Sequence, residues 1–300
     1  QFGTPLYVYS GDKIDTQCQA MRHIMPDATL CFAVKANSTA ALLRRIFAHG
    51  FGADVVSVGE LQRSLRAGVD PSKIVFSGVG KQDDEIRAGL ECSAVFNVES
   101  IDELGRIHAL AHAARKKAAV LLRVNPNIDA RTNPYIATGL YATKFGIAES
   151  QLMEAVRVAR SLNALSLVGI SCHLGSQITD LKVFEEGASR MAKLGAELKA
   201  GHPEFTRLNL GGGLAVTYQS EKPPPLGHYA QAVLAAARSA GLTLTLEPGR
   251  WLVAEGGGLL TRVITVKTTP EKTFAVVDAA MNDLIRPALY EAYHPVRAVN

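Results

Sequence analysis

Eight short β-prone runs, each followed by a longer amphipathic stretch, recur along the chain at residues 29–36, 53–58, 73–77, 94–98, 119–124, 167–172, 207–210 and 242–247. Between them apolar residues fall at helical spacing, as in Leu42, Leu43, Ile46 and Phe47 before Gly50, and Leu61 and Leu65 before Gly68. Ser100 followed three residues later by Glu103 has the form of a capping box that opens a helix with Ile101, Leu104 and Ile107 inward. Leu152 with Val156, then Leu181, Phe184, Met191, Leu194 and Leu198, then Tyr229 with Val233 mark three more helices. Parallel strands need helical crossovers, and eight such units over about 250 residues predict an α/β fold, a (β/α)8 TIM-type barrel. A doubly wound open sheet is the competing arrangement of the same pattern.

The pattern changes after Trp251. Glu255-Gly256-Gly257-Gly258 leads into β-rich runs at 259–267 and 274–278 with a Thr/Pro turn and no helix between them. The expected division is a barrel over residues 11–255 and the start of a β domain over 256–300, with the opening run within residues 1–10 joining that second unit. That β domain stops at Asn300 with too few strands to close a core, so the expectation is a fragment, or a chain whose remainder completes it. One connection, 125–147, runs about twenty residues with Pro126, Pro134 and Gly139 and no periodicity, which in a compact barrel predicts a functional loop.

With 300 residues, 47% apolar and 20% charged, the chain can bury a large core. A net charge of +4 with no basic run longer than the pairs Arg44-Arg45 and Lys116-Lys117 gives nucleic-acid binding no support. No apolar stretch reaches the roughly 18 residues that span a bilayer, and the N-terminus has no signal-peptide pattern, so a cytoplasmic protein is expected. Cys18, Cys31, Cys92 and Cys172 are far apart and form no Cys-x-x-Cys pair, as expected of reduced thiols rather than of disulfides or a metal site.

In a barrel, chemistry sits where strands end and the following loops begin. The strand ends here carry Lys35-Ala36-Asn37; Asp54 with Ser57 and Glu60; Ser77 to Lys81; Asn97 and Glu99; Arg123 and Asn125; His173 and Ser176; Gly211-Gly212-Gly213; and Glu247-Pro248-Gly249-Arg250. Each has a plainer reading alone: Lys35 as a strand-end lysine reaching water, His173 as a satisfied core histidine, the glycines as a flexible turn, Glu247 as a turn opener. On one rim together they match the needs of pyridoxal 5'-phosphate chemistry. A lysine with its pKa lowered by burial and nearby cations forms a Schiff base with an aldehyde. A glycine turn opening a helix, with a hydroxyl such as Ser176 and a guanidinium such as Arg250, holds a phosphate. A carboxylate such as Glu247 keeps a pyridine nitrogen protonated, and His173 stacks on the ring.

Several longer stretches carry a family resemblance: "AVKAN" at 33–37, "VFSGVGK" at 75–81, "RVNP" at 123–126, "YIATG" and "KFGI" within 135–147, "CHLGSQI" at 172–178, "NLGGGL" at 209–214, "EPGR" at 247–250 and "MNDLIRPALY" at 281–290. By these the sequence resembles the barrel-type pyridoxal-phosphate decarboxylases, and within them the branch acting on diaminopimelate. The resemblance implies that Lys35 carries the cofactor, His173 covers its ring and Glu247 pairs with the pyridine nitrogen. It places Gly211, Gly212, Gly213, Ser176, Gly249 and Arg250 around the phosphate, Asp54 near the Schiff base, and Arg123 in support. It also implies that Arg250, Arg286 and Tyr290 hold the distal carboxylate of an amino-acid substrate, meso-2,6-diaminopimelate, on its way to L-lysine and CO2. A homodimer with shared active sites is a further implication.

The family pattern includes, beyond the equivalent of Tyr290, a Cys-Glu-Ser-Gly-Asp loop and a later tyrosine that reach the neighbouring subunit's site, and residues 1–300 contain neither. A natural chain that ended at Asn300 is expected to bind cofactor poorly and to decarboxylate little. Two other functions remain compatible with the residues. One is a related barrel decarboxylase acting on ornithine, arginine or a carboxylated polyamine, and the other is a non-catalytic homologue that binds or regulates a partner.

Overall fold

The computed structural model describes residues 2–129 and 143–299. Its strands are β1 (Leu6–Tyr9), β2 (Thr29–Ala33), β3 (Gly52–Val55), β4 (Ile74–Phe76), β5 (Val95–Val98), β6 (Ala118–Asn125), β7 (Ile147–Ala148), β8 (Leu165–Ser171), β9 (Arg207–Asn209), β10 (Thr243–Leu246), β11 (Gly257–Leu260), β12 (Val263–Thr268) and β13 (Thr273–Val277). The helices are α1 (Gly11–Ile24), α2 (Ala40–Ala48), α3 (Val58–Arg66), α4 (Asp83–Glu91), α5 (Ile101–Ala113), α6 (Leu152–Ser161), α7 (Leu181–Lys199), α8 (Leu226–Ser239), α9 (Arg250–Val253) and α10 (Arg286–Tyr290).

Strands β2, β3, β4, β5, β6, β8, β9 and β10 pair in parallel, and β10 returns to β2. The sheet therefore closes into an eight-stranded barrel, and the open-sheet alternative is excluded. All eight expected runs are strands of this barrel, because a parallel strand covered on both faces reads as a nearly continuous apolar run. β3, β4 and β5 are buried at every position.

Helices coat the barrel through the expected apolar faces: Leu42, Leu43, Ile46 and Phe47 on α2, and Leu104 and Ile107 on α5, are buried. Leu65 differs. It is 37% exposed, so α3 rests on Leu61 alone among the two leucines expected to face inward. The layers approach most closely at α4, where Gly89 lies over the stacked rings of Phe76 and Phe96, whose centroids are 6.1 Å apart. A Cβ on Gly89 would stand 2.7 Å from Phe96, so only a glycine lets this helix lie flat on the sheet.

Outside the barrel, β1 pairs antiparallel with β11 from Leu6 opposite Leu260 to Tyr9 opposite Gly257. β12 and β13 form a separate antiparallel ribbon, with Val263, Ile264, Val266 and Phe274 exposed. Among the described residues no helix is long and apolar enough to cross a membrane, and no group of His, Cys, Asp and Glu is arranged to hold a metal ion. All four cysteines are free thiols. Of the long connection expected at 125–147, residues 130–142, which include "YIATG", lie outside the described residues.

Candidate active site

Lys35 does not stand on its strand. β2 ends at Ala33, and residues Val34–Ala36 form one 3-10 turn that swings Lys35 over the mouth of the barrel. Its Nζ lies 2.8 Å from Oδ2 of Asp54, which sits inside β3 with no exposed surface, whereas 51% of the Lys35 side chain is open. The other oxygen of Asp54, Oδ1, is buried with no hydrogen-bond partner. Burial alone would lower the Lys35 ammonium, but the charges of Asp54 and Glu247 and the Asp54 hydrogen bond outweigh it and hold the pKa above its ordinary value. The lowered pKa expected from the sequence is thus reversed. The acids that reverse it come from β3 and from the end of β10, far along the chain.

Glu247 follows β10 and is almost fully buried. Burial, then the Asp54 charge, push its carboxyl well above the usual carboxylate range, against the opposing pull of Lys35. Asn209, the last residue of β9, donates from Nδ2 to Glu247 Oε1 at 2.5 Å, and its Oδ1 accepts from Gly211 N–H at 2.9 Å. One amide therefore fixes both a buried acid and the start of the glycine turn. In the sequence Asn209 stands out only as part of "NLGGGL". Its signal was its place two residues before a glycine, where a side-chain carbonyl mimics a backbone turn.

The glycine turn is bare for steric reasons. Gly211 and Gly213 have φ of +67° and +110°, and a Cβ on Gly212 would stand 2.4 Å from the Glu247 carbonyl oxygen. The turn does not open a helix as expected: it continues into the segment 214–225, and α8 begins only at Leu226. What it leaves for an anion is room: the turn has no side chains in the way, while the Gly211 N–H is taken by Asn209. His173, after β8, stands against it, with Gly212 N–H donating to His173 Nδ1 at 3.3 Å. Burial, then the charges of Arg123 and Lys35, lower the His173 pKa to about 3, so the ring is neutral at physiological pH.

Gly249 packs against β2: a Cβ there would lie 3.0 Å from Ala33 and 3.2 Å from Ala36, on either side of Lys35, and Ala33 N–H donates to Pro248 O at 3.0 Å. This close approach places Arg250 beside the Lys35 turn. Arg250 reaches Ser176 Oγ from Nε and Nη2 at 3.4 Å each, and Tyr218 OH from Nη1 at 3.0 Å. Arg123, at the end of β6, is held by Glu99 at 2.6 Å and lies 4.9 Å over the Phe145 ring. Glu99 Oε2 also accepts from Gly146 N–H at 2.9 Å.

Two residues at the rim serve structure instead. Lys81 is buried and donates to Glu103 at 2.7 Å and to the carbonyls of Gly78 and Asn97. Ser100 Oγ caps α5 as expected, but Glu103 turns its carboxylate to Lys81 and to Glu99 N–H, so the reciprocal half of the capping box is absent.

Further out, Arg286 and Tyr290 occupy the two ends of α10. Arg286 lies 5.1 Å over the ring of Tyr218, the same tyrosine that Arg250 reaches, so these two expected residues meet on one side chain. His294 Nε2 stands 3.0 Å from Arg286 Nη1. Neither Tyr218 nor His294 was singled out by the sequence.

The residues fit pyridoxal phosphate. The orphaned Asp54 Oδ1 beside Lys35, the bare glycine turn, and an arginine next to Ser176 that forms no ion pair among the described residues are what a phosphorylated aldehyde cofactor would satisfy.

Residues 11–254 match the family model of the pyridoxal-dependent decarboxylases, pyridoxal binding domain. Diaminopimelate decarboxylase of Neisseria meningitidis serogroup A is 48% identical over 304 residues, covering 99% of this chain and 74% of the relative. The enzyme of that name from Pseudomonas aeruginosa is also 48% identical, over 100% of this chain and 73% of the relative. Among solved structures, diaminopimelate decarboxylase from Helicobacter pylori complexed with L-lysine superposes with a TM-score of 0.96 at 41% identity, over 100% of this chain and 76% of that one. The chain thus spans about three quarters of the length of these relatives. With its closed barrel, its Lys35–Asp54 pair and this similarity along nearly its whole length, the chain belongs to the pyridoxal-dependent decarboxylases, in the diaminopimelate decarboxylase family.

Proposed function

We propose that the protein removes the carboxylate at one end of meso-2,6-diaminopimelate, giving L-lysine and CO2. One observation carries the choice of substrate. Arg250 and Arg286 converge on Tyr218 beside the Lys35 turn, and neither makes an ion pair with a carboxylate among the described residues. Two uncompensated guanidinium groups recognise a carboxylate, whereas the distal end of ornithine offers an ammonium.

In this reading Lys35 carries the cofactor's aldehyde. Bound pyridoxal phosphate supplies a conjugated ring that takes up the electron pair left when the carbon–carboxylate bond breaks. Gly211, Gly212, Gly213, Ser176, Gly249 and Arg250 hold its phosphate. Glu247, fixed by Asn209 and with its proton affinity raised, would be the carboxyl that pairs with the pyridine nitrogen, and a cation there would lower that affinity. Neutral His173 covers the ring without adding a charge that would compete with it. Asp54 would hold a proton on Lys35 Nζ through its Oδ2, 2.8 Å away. Arg123, locked by Glu99, supports the site from β6, and Tyr290 joins the two arginines at the distal carboxylate. A cytoplasmic homodimer with shared sites belongs to the same reading.

Comparison of kcat/KM for meso-2,6-diaminopimelate, L-ornithine and L-arginine tests the substrate. The diacid is expected to exceed both by at least about a hundredfold, the discrimination a built carboxylate site provides. Equal or reversed preference refutes the choice.

A further inference from the structure

Two arginines on one tyrosine present an electrostatic difficulty. Like charges on neighbouring side chains repel, and without a carboxylate between them each would turn to solvent. Two neutral side chains hold them together. Tyr218 accepts from Arg250 Nη1 at its hydroxyl, 3.0 Å, and presents its ring to both guanidinium groups, with centroid distances of 5.9 Å to Arg250 and 5.1 Å to Arg286. His294 stands edge-on to the same ring, 5.3 Å between centroids at 71°, with Nε2 3.0 Å from Arg286 Nη1. An arginine has only donors, so His294 accepts there, which requires a neutral imidazole. Burial, followed by the charges of Arg286 and Arg250, lowers the His294 pKa and supports that state.

From this geometry we infer that Tyr218 and His294 are positioning residues for substrate selectivity. They form a neutral platform that keeps Arg250 and Arg286 converged on the space where the distal carboxylate binds. The inference rests on the proposed reading of that space and extends it to two residues that touch the substrate only through the arginines. Tyr218 comes from the segment after the glycine turn, and His294 from the chain beyond α10. The platform therefore ties the barrel to the segment that carries Arg286. Tyr218 sets both cations, and His294 fixes the azimuth of Arg286 alone.

L-Lysine and 1,5-diaminopentane differ only in the carboxylate this platform serves, so their dissociation constants from the cofactor-loaded protein, measured by calorimetry, isolate it from turnover. Tyr218→Leu and His294→Ala are expected to weaken L-lysine by about tenfold or more, the loss typical of an ion-pair site left without its geometry. Both should leave 1,5-diaminopentane within about twofold, and His294→Ala, whose hydrogen bond is to Arg286, should leave the absorbance of the bound cofactor unchanged. His294→Gln, which keeps an acceptor oxygen, should restore most of the L-lysine affinity, and Tyr218→Phe, which keeps the ring, should lose less than Tyr218→Leu. Parallel weakening of both ligands, or loss of cofactor absorbance in His294→Ala, would mean a purely structural role and overturn the inference. Variants that keep the wild-type preference overturn it as well. A wild type with no preference for L-lysine overturns instead the reading of a distal carboxylate on which the inference rests.

Discussion

A single amide illustrates how tightly the site is tied together. Asn209 donates to Glu247 and accepts from Gly211, so removing it leaves a buried carboxyl oxygen and a buried N–H without their partners at once. Unpaired buried groups cost about 1–3 kcal/mol each. Asn209→Ala is therefore expected to weaken pyridoxal phosphate by roughly tenfold or more, read by titration of cofactor absorbance, and unchanged affinity would remove Asn209 from the cofactor's support. At this scale the sequence named the residues but not their state. Lys35, Asp54, His173 and Glu247 were identified as neighbours, yet the Lys35 pKa was expected to fall because a sequence does not show which charges face a side chain. The structure sets two acids against it. Tyr218 and His294 were not legible because their role arises only where separate segments meet around two arginines.

The elements were more legible than the residues at their ends. Each barrel strand announced itself as an apolar run, and α2, α3, α5, α6, α7 and α8 by their spacing, because both patterns record burial that extends over several residues, whereas α1 and α4 were not read as helices. The turns did not: Val34–Ala36 reads as more of a strand but winds into a 3-10 turn, and the glycine triplet reads as a helix opener but leads into 214–225. Hydrogen bonds made over one or two residues decide these cases, and no periodicity records them. Packing between layers is similarly local. Gly89→Ala would force a methyl group into the Phe76–Phe96 pair and is expected to destabilise by about 1–3 kcal/mol, seen as a lower urea midpoint. Cofactor affinity should be retained, since α4 packs on the outside of the barrel. An unchanged midpoint would mean that the rings yield at no cost and that the close approach is incidental.

Taken whole, the molecule places its chemistry where closure of the barrel leaves room for it. Strands β2, β3, β6, β8, β9 and β10 each deliver one polar group to the same rim, and hydrogen bonds between neighbouring strand ends, such as Asn209 with Glu247, hold these groups in register. Outside the barrel, β1 joins β11, so the two ends of the barrel segment meet in one small sheet next to the elements that carry Arg286. Everything proposed for this site depends on Lys35 being the residue that carries the cofactor. Borohydride reduction of the protein loaded with pyridoxal phosphate, followed by peptide mass spectrometry, tests this directly. The pyridoxyl group should be found on the peptide bearing Lys35 and be lost in Lys35→Ala; a label on Lys81 or another lysine, or one that survives Lys35→Ala, would contradict it.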